Sequence, residues 1–322
     1  MKRSRLVVAS AVGGFLLLQA IGYAQQAKKK PVRALPPKWS EEVKGAFFAD
    51  ARKVLGERPK FNPGAKPAST GGASTPMPMP TGDDPAAGGV FAWSKVVTPE
   101  TLEDEIKAQK LLLDASVTTP GPFKGGGNRD ARKQFSTLAV MFGIIAEYDG
   151  TVRWQKDATG IRDLLAQAGV SCKVGTDQSY NQAKLRLQEL TDLVGGGTIA
   201  DLKPSEAAAQ WDKVANRPPL MMRLEDAFDK RLKPWLANEG EFKSKSSEIL
   251  AEAQILAALA EVIQRPGFEF ADDESYLEHA KAMRQAASDI VDAVKLNSYE
   301  KANTAAGTIS NSCTACHEGF RS

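Results

Sequence analysis

The run Cys313-Thr314-Ala315-Cys316-His317 constrains this chain more than any other stretch. Cys-x-x-Cys-His is the attachment spacing of c-type haem. Two thiols three residues apart share one face of a helix, so both can form thioethers to one edge of a macrocycle. The imidazole that follows can bind the iron as proximal ligand. A zinc site needs more ligands than this neighbourhood offers, and a thioredoxin-like thiol pair needs a βαβ context that the sequence lacks. Tyr299, Ala302, Ala306, Ile309, Cys313, Cys316 and Phe320 recur at steps of three and four. That spacing makes one buried stripe on a terminal helix, with both cysteines facing inward.

With that motif and the aromatic and basic residues that follow it, Phe320 and Arg321, the last hundred or so residues resemble the cytochrome c′ family. The resemblance implies an antiparallel four-helix bundle with the attachment motif near the end of its last helix. It also implies one covalent haem c held by Cys313, Cys316 and His317, with Arg321 close to the proximal side. Members of that family often dimerise through their first two helices, so a homodimer is a further implication.

From about Val97 onward the sequence reads as helical and repeats. Leu102-Glu103-Asp104 matches Leu224-Glu225-Asp226, Phe123-Lys124 matches Phe242-Lys243, and Ser179-Tyr180 matches Ser298-Tyr299. The three anchors fall in order, at offsets of 122, 119 and 119 residues, as a duplication requires. Helices are expected near 98–116, 128–148, 157–169 and 177–195, then near 219–237, 243–264, 273–295 and 298–319. The expected fold is all-α, with two tandem four-helix bundles at 93–200 and 201–322. An offset of 119 carries Cys313, Cys316 and His317 onto Val194, Gly197 and Thr198. The first bundle therefore lacks every attachment residue, and its Leu187 fills space that Ala306 leaves open in the second. Gly125-Gly126-Gly127 and Gly195-Gly196-Gly197 read as helix-end turns rather than as phosphate-binding loops.

Ahead of the bundles, residues 1–24 read as a secretory signal. Lys2, Arg3 and Arg5 precede an apolar run from Leu6 to Ile21, with Gly22-Tyr23-Ala24 as the cleavage site. An uncleaved anchor is the alternative, although the run is short for a span. Export to the periplasm or beyond fits the motif, because haem c is assembled outside the cytoplasm. Residues 25–58 carry a basic stretch and then a short helix from Ser40 to about Leu55. Residues 59–92, rich in Pro, Gly, Ser and Thr, read as a flexible linker. Met77 and Met79 within it are flanked by prolines and lack a nearby histidine, which argues against metal ligation there. The formal charge of +3 falls to zero once the leader is removed. Nothing basic remains to attract nucleic acid, and no other segment is apolar enough for a stable membrane span. Cys172 has no partner cysteine once haem takes two, and reads as a small buried thiol.

In the helix from Leu220, the stripe is Met221, Leu224, Phe228, Leu232 and Trp235. Proteins of the cytochrome c′ kind present the residue that faces the open side of the haem from this helix. Some place methionine there, and others an apolar residue that leaves the site open. Met221 is the candidate sixth ligand, beside the alternative that it is a plain core residue. Met222, rotated by about 100°, and His279 are the further candidates. The expected function is one-electron transfer with an unidentified redox partner protein. Its alternative is a five-coordinate haem protein that binds small gases such as NO or CO. No catalytic constellation is present: there is no Ser/His/Asp triad and no distal His/Arg pair of the peroxidase type. A docking role for the haem-free bundle is compatible with electron transfer.

Overall fold

The computed structural model describes residues 91–200, 202–203, 205 and 209–321. The leader, the short helix, the methionines of the linker and nearly all of the linker itself lie outside the described residues. Everything below concerns the unit Pro78–Ser322, since residues 1–77 lie outside the described residues. Among the described residues there is no strand, so the fold is all-α as expected.

Eight longer helices carry the architecture. The first four are α1 (Pro99–Ser116), α2 (Asn128–Ala146), α3 (Ala158–Ser171) and α4 (Asp177–Val194). The second four are α5 (Arg217–Ala227), α6 (Ser246–Val262), α7 (Glu274–Lys295) and α8 (Tyr299–Phe320). Local chemistry sets their ends. Thr98 caps α1 by accepting from Thr101 N, with Pro99 at the first helical position. Thr176 and Ser179 form a capping box at α4, and the Asp273 carboxylate accepts from Tyr276 N at the start of α7. α5 runs on through a π-turn, Phe228–Leu232, to Trp235.

In the first quartet each helix packs on the next, and α1 meets α4 to close the ring. The second quartet follows the same order through α5, α6, α7 and α8, but α5 and α8 stand apart across a cleft. The two quartets are internally alike. Phe123 and Tyr180 rings pack at 5.6 Å in the first, and Phe242 and Tyr299, their partners in the repeat, pack at 6.0 Å in the second. A Trp-x-Lys-Val sequence precedes each quartet, at Trp93–Val96 and Trp211–Val214.

The quartets also pack on one another through their first two helices. α2 lies on α5 and α1 lies on α6, a reciprocal pair of contacts. Such reciprocity describes a pseudo-two-fold relation. Near that axis the equivalent Trp93 and Trp211 rings lie 5.8 Å apart, and Glu105 on α1 pairs with Arg223 on α5. α2 and α6 are sandwiched between layers and are buried without a break over Gln134–Ile145 and Glu252–Ile263. Helices buried all round have no polar face to show, so the single stripe along α6 understates its burial. Cys172 is fully buried and its thiol is pushed up to about 12 by burial, in keeping with an inert structural thiol.

The first quartet ends where the second carries its motif. α4 stops at Val194, the position equivalent to Cys313, and Gly195-Gly196-Gly197 turns the chain away. Gly196 has φ +98°, and the Gly197 amide donates to Asp192 O at 2.8 Å, so orphan carbonyls are satisfied at a left-handed glycine. Gly196→Ala is expected to cost about 1–2 kcal/mol, read as a lower midpoint in urea.

Candidate functional site

The cleft between α5 and α8 has a volume of about 620 Å³, within the rough 300–1,000 Å³ range of ligand sites. α8 gives one wall, with Ile309, Cys313, Cys316, His317 and Phe320. α5 and its continuation give the opposite wall, with Met221, Met222, Leu224 and Phe228 beside the charged Arg217, Glu225, Asp229 and Lys233. α6 adds Leu256 and Ile263, and α7 adds Tyr276, His279, Ala280 and Met283. The small residues Ala302, Ala305 and Ala306 are buried further up α8, where larger side chains would stand in the bundle interior.

Every sequence-derived candidate lines this one cleft. Cys313 and Cys316 are half-buried, while His317 and Arg321 are exposed. Met221 is half-buried against the core edge rather than enclosed within it, and Met222 is 39% exposed. His279, placed by spacing at the edge of its stripe, is half-buried.

Register can be read from the contacts. Arg217 Nη1 donates to Phe320 O at 3.2 Å, so the start of α5 is level with the end of α8. The helices run antiparallel. Met221 lies four residues along α5 and His317 three residues back along α8. At about 1.5 Å per residue, each lies about one turn in from that contact. Between α7 and α8, Met283 Sδ is 3.9 Å from Cys313 Sγ, and Tyr276 packs on Phe320 at 5.6 Å. The same register puts His279 level with His317.

The lower end of the cleft is fastened by Phe320 and Tyr276 together with Arg217, Glu269 and Phe270, which the hydrophobic pattern did not single out. Phe320 stacks on Phe270 at 5.2 Å, and the Arg217 guanidinium lies 4.9 Å over the Phe270 ring. Arg217 also pairs with Glu269 at 2.9 Å. Tyr276 donates its hydroxyl to Ile263 O at 3.2 Å, and burial pushes it up to about 12. Phe270 has φ +68°, outside any regular element, which is why no periodicity reveals it. Arg217 was legible only as the residue before Pro218-Pro219.

Burial pushes the Cys313 thiol up to about 11, helped by Asp229 and Cys316. Cys316 is raised too, by burial, with Arg217 opposing. A thiol-exchange pair needs a lowered pKa, so this environment does not suit redox exchange between the two. Among the described residues no group of three or more His, Cys, Asp or Glu is placed to hold a bare metal ion. Two adjacent thiols on one wall, an imidazole one residue further, and Met221, Leu224 and Phe228 opposite with Glu225, Asp229 and Lys233 beside them form a donor set that fits a covalently attached haem. Also among the described residues, no helix is long and apolar enough to cross a membrane. Comparison with family models, with curated proteins and with solved structures returns no match.

Proposed function

We propose that this chain is an exported c-type cytochrome that carries one haem c and serves one-electron transfer with a redox partner protein, not catalysis. The observation that carries the reading is the placement of Cys313, Cys316 and His317 on one wall of a cleft whose other wall offers Met221. When bound, the haem supplies the one-electron change at its iron. Cys313 and Cys316 would hold the macrocycle edge, and His317 would bind the iron. Leu224, Phe228 and Leu256 exclude water from the interior, and Arg321 lies at the solvent mouth. Met221 is the proposed sixth ligand, with Met222 and His279 as its rivals in the same cleft.

A second reading has its own observation. Leu224 and Phe228 are apolar, buried and on the same wall as Met221. With methionine turned away they would line an open pocket for a small gas such as NO or CO. The optical spectrum of the purified protein separates the two. A low-spin reduced spectrum indifferent to carbon monoxide supports electron transfer, and a high-spin spectrum that shifts with carbon monoxide supports gas binding. In the first case Met221→Leu is expected to convert the spectrum to the second kind. An unchanged Met221→Leu spectrum would move the ligand role to Met222 or His279.

The homodimer that the resemblance implies would use the first two helices of the haem bundle. Here α5 and α6 are covered by α1 and α2 of the same chain, so any self-association needs another face.

A further inference from the structure

α5 forms the wall opposite His317, and its position is set from both quartets. It is short, it rests on α2 and α6, and it faces α8 only across the cleft. Its two sides do different things. Met221, Leu224 and Phe228 line the cleft, while Arg223 points the other way and is 1% exposed. Arg223 Nε and Nη2 donate to the two carboxylate oxygens of Glu105, on α1, at 2.9 and 3.0 Å. Its Nη1 donates to Glu252, on α6, at 2.5 Å. A bidentate fork fixes orientation as well as distance. Arg223 is two residues from Met221, about 200° around the helix, so any rotation that frees Arg223 also swings Met221 relative to the cleft.

We propose that Glu105, from the quartet without the haem motif, is a positioning residue for the haem cleft: through Arg223 it holds the rotation of α5 and so sets how Met221 and Leu224 face the haem. The proposal rests on the haem reading above, and it gives the haem-free quartet a task. That quartet is a fixed clamp on the wall that decides the sixth coordination position.

The test uses the full-length holoprotein, with three readouts: the absorption spectrum, the carbon monoxide affinity of the reduced form and the thermal midpoint. Glu105→Gln keeps the size of the side chain but removes its charge and one acceptor of the fork. It is expected to change the carbon monoxide affinity by about tenfold, the usual scale of coupling between sites, with a matching change in spin state. Glu105→Asp, which keeps the carboxylate, is expected to move the same way by less. It carries the test alone if Glu105→Gln does not accumulate folded. Thr101→Val removes the 2.6 Å bond to Gln254 at the same interface, away from α5. It is expected to lower the midpoint and leave the affinity alone. A loaded Glu105→Gln protein with native spectrum and affinity overturns the proposal, as does an equal shift in Thr101→Val. If the native protein carries no covalent haem, the haem reading fails and takes the proposal with it. If the native protein is loaded and Glu105→Gln behaves like it, the proposal alone fails.

Discussion

Replacing Cys313 and Cys316 together by Ala is expected to yield a chain with no covalent haem. Each thioether consumes one thiol, and no other cysteine can substitute. The only other one, Cys172, is fully buried on the cap of α3 in the opposite quartet. Intact mass is the direct readout: the double variant should weigh as the bare polypeptide, and haem staining after denaturing electrophoresis should be absent. Either single variant keeps one thiol on the cleft wall and should retain a fraction of the attached haem. Loss of the macrocycle should also be felt in the fold. α5 and α8 face each other across about 620 Å³, and walls without partner atoms forfeit their dispersion contacts. The double variant should therefore lose protection of the α5 and α8 amides in hydrogen exchange, while α2 and α3 keep theirs. A double variant that still carries haem through denaturation would sink the site reading outright.

What the sequence disclosed, and what it withheld, follows from what a periodic pattern can register. The α8 stripe was legible because a single helix face repeats every three or four residues, and Ala302, Ala306 and Ile309 are indeed buried. The repeat was read from a few anchors. The Phe123–Tyr180 and Phe242–Tyr299 contacts show that two of them occupy the same place in each quartet. Trp-x-Lys-Val, the same signal at an offset of 118 residues, was available and missed, because it lies outside the helices on which the comparison was built. Arg223 shows the deeper limit. α5 has one face on the cleft and another on the opposite quartet, so no single stripe describes it. A charged residue between apolar neighbours reads as solvated until its two carboxylate partners, 118 residues before and 29 residues after it, are brought to it. Met222 and His279 stood behind Met221 as further candidates. The cleft widens the inward face of α5 and α7 and admits both. Arg217, Glu269 and Phe270 converge from a helix start and an irregular loop, where spacing carries no information.

Arg223→Ala is expected to destabilise the protein by about 3–5 kcal/mol, read as a lowered midpoint in urea at pH 7. The loss comes less from missing attraction than from what remains. Glu105 and Glu252 are each 6% exposed. Without the guanidinium, Glu252 keeps Arg231 at 2.6 Å, but Glu105 keeps the Gln109 amide at 2.8 Å and only the weaker, more distant pull of Arg231. A buried charge with one neutral donor is costly. The pH dependence should identify the cause. In the native protein burial raises the Glu105 carboxyl, but the charge and hydrogen bonds of Arg223 outweigh it and hold the group below its ordinary value. A carboxyl depressed on folding stabilises above its unfolded pKa, and that contribution is lost as pH falls through the folded value. Removing Arg223 reverses the sign: burial then dominates, the folded pKa rises above the unfolded one, and mild acid relieves the variant by protonating Glu105. The stability gap between native and Arg223→Ala should therefore narrow between pH 7 and about pH 4.5, near the unfolded carboxylate range. Adding Glu105→Gln to Arg223→Ala should recover part of the loss at neutral pH and flatten the remaining gap. A loss below about 1 kcal/mol, the scale of an exposed pair, would mean that the two quartets do not close on this triad in solution.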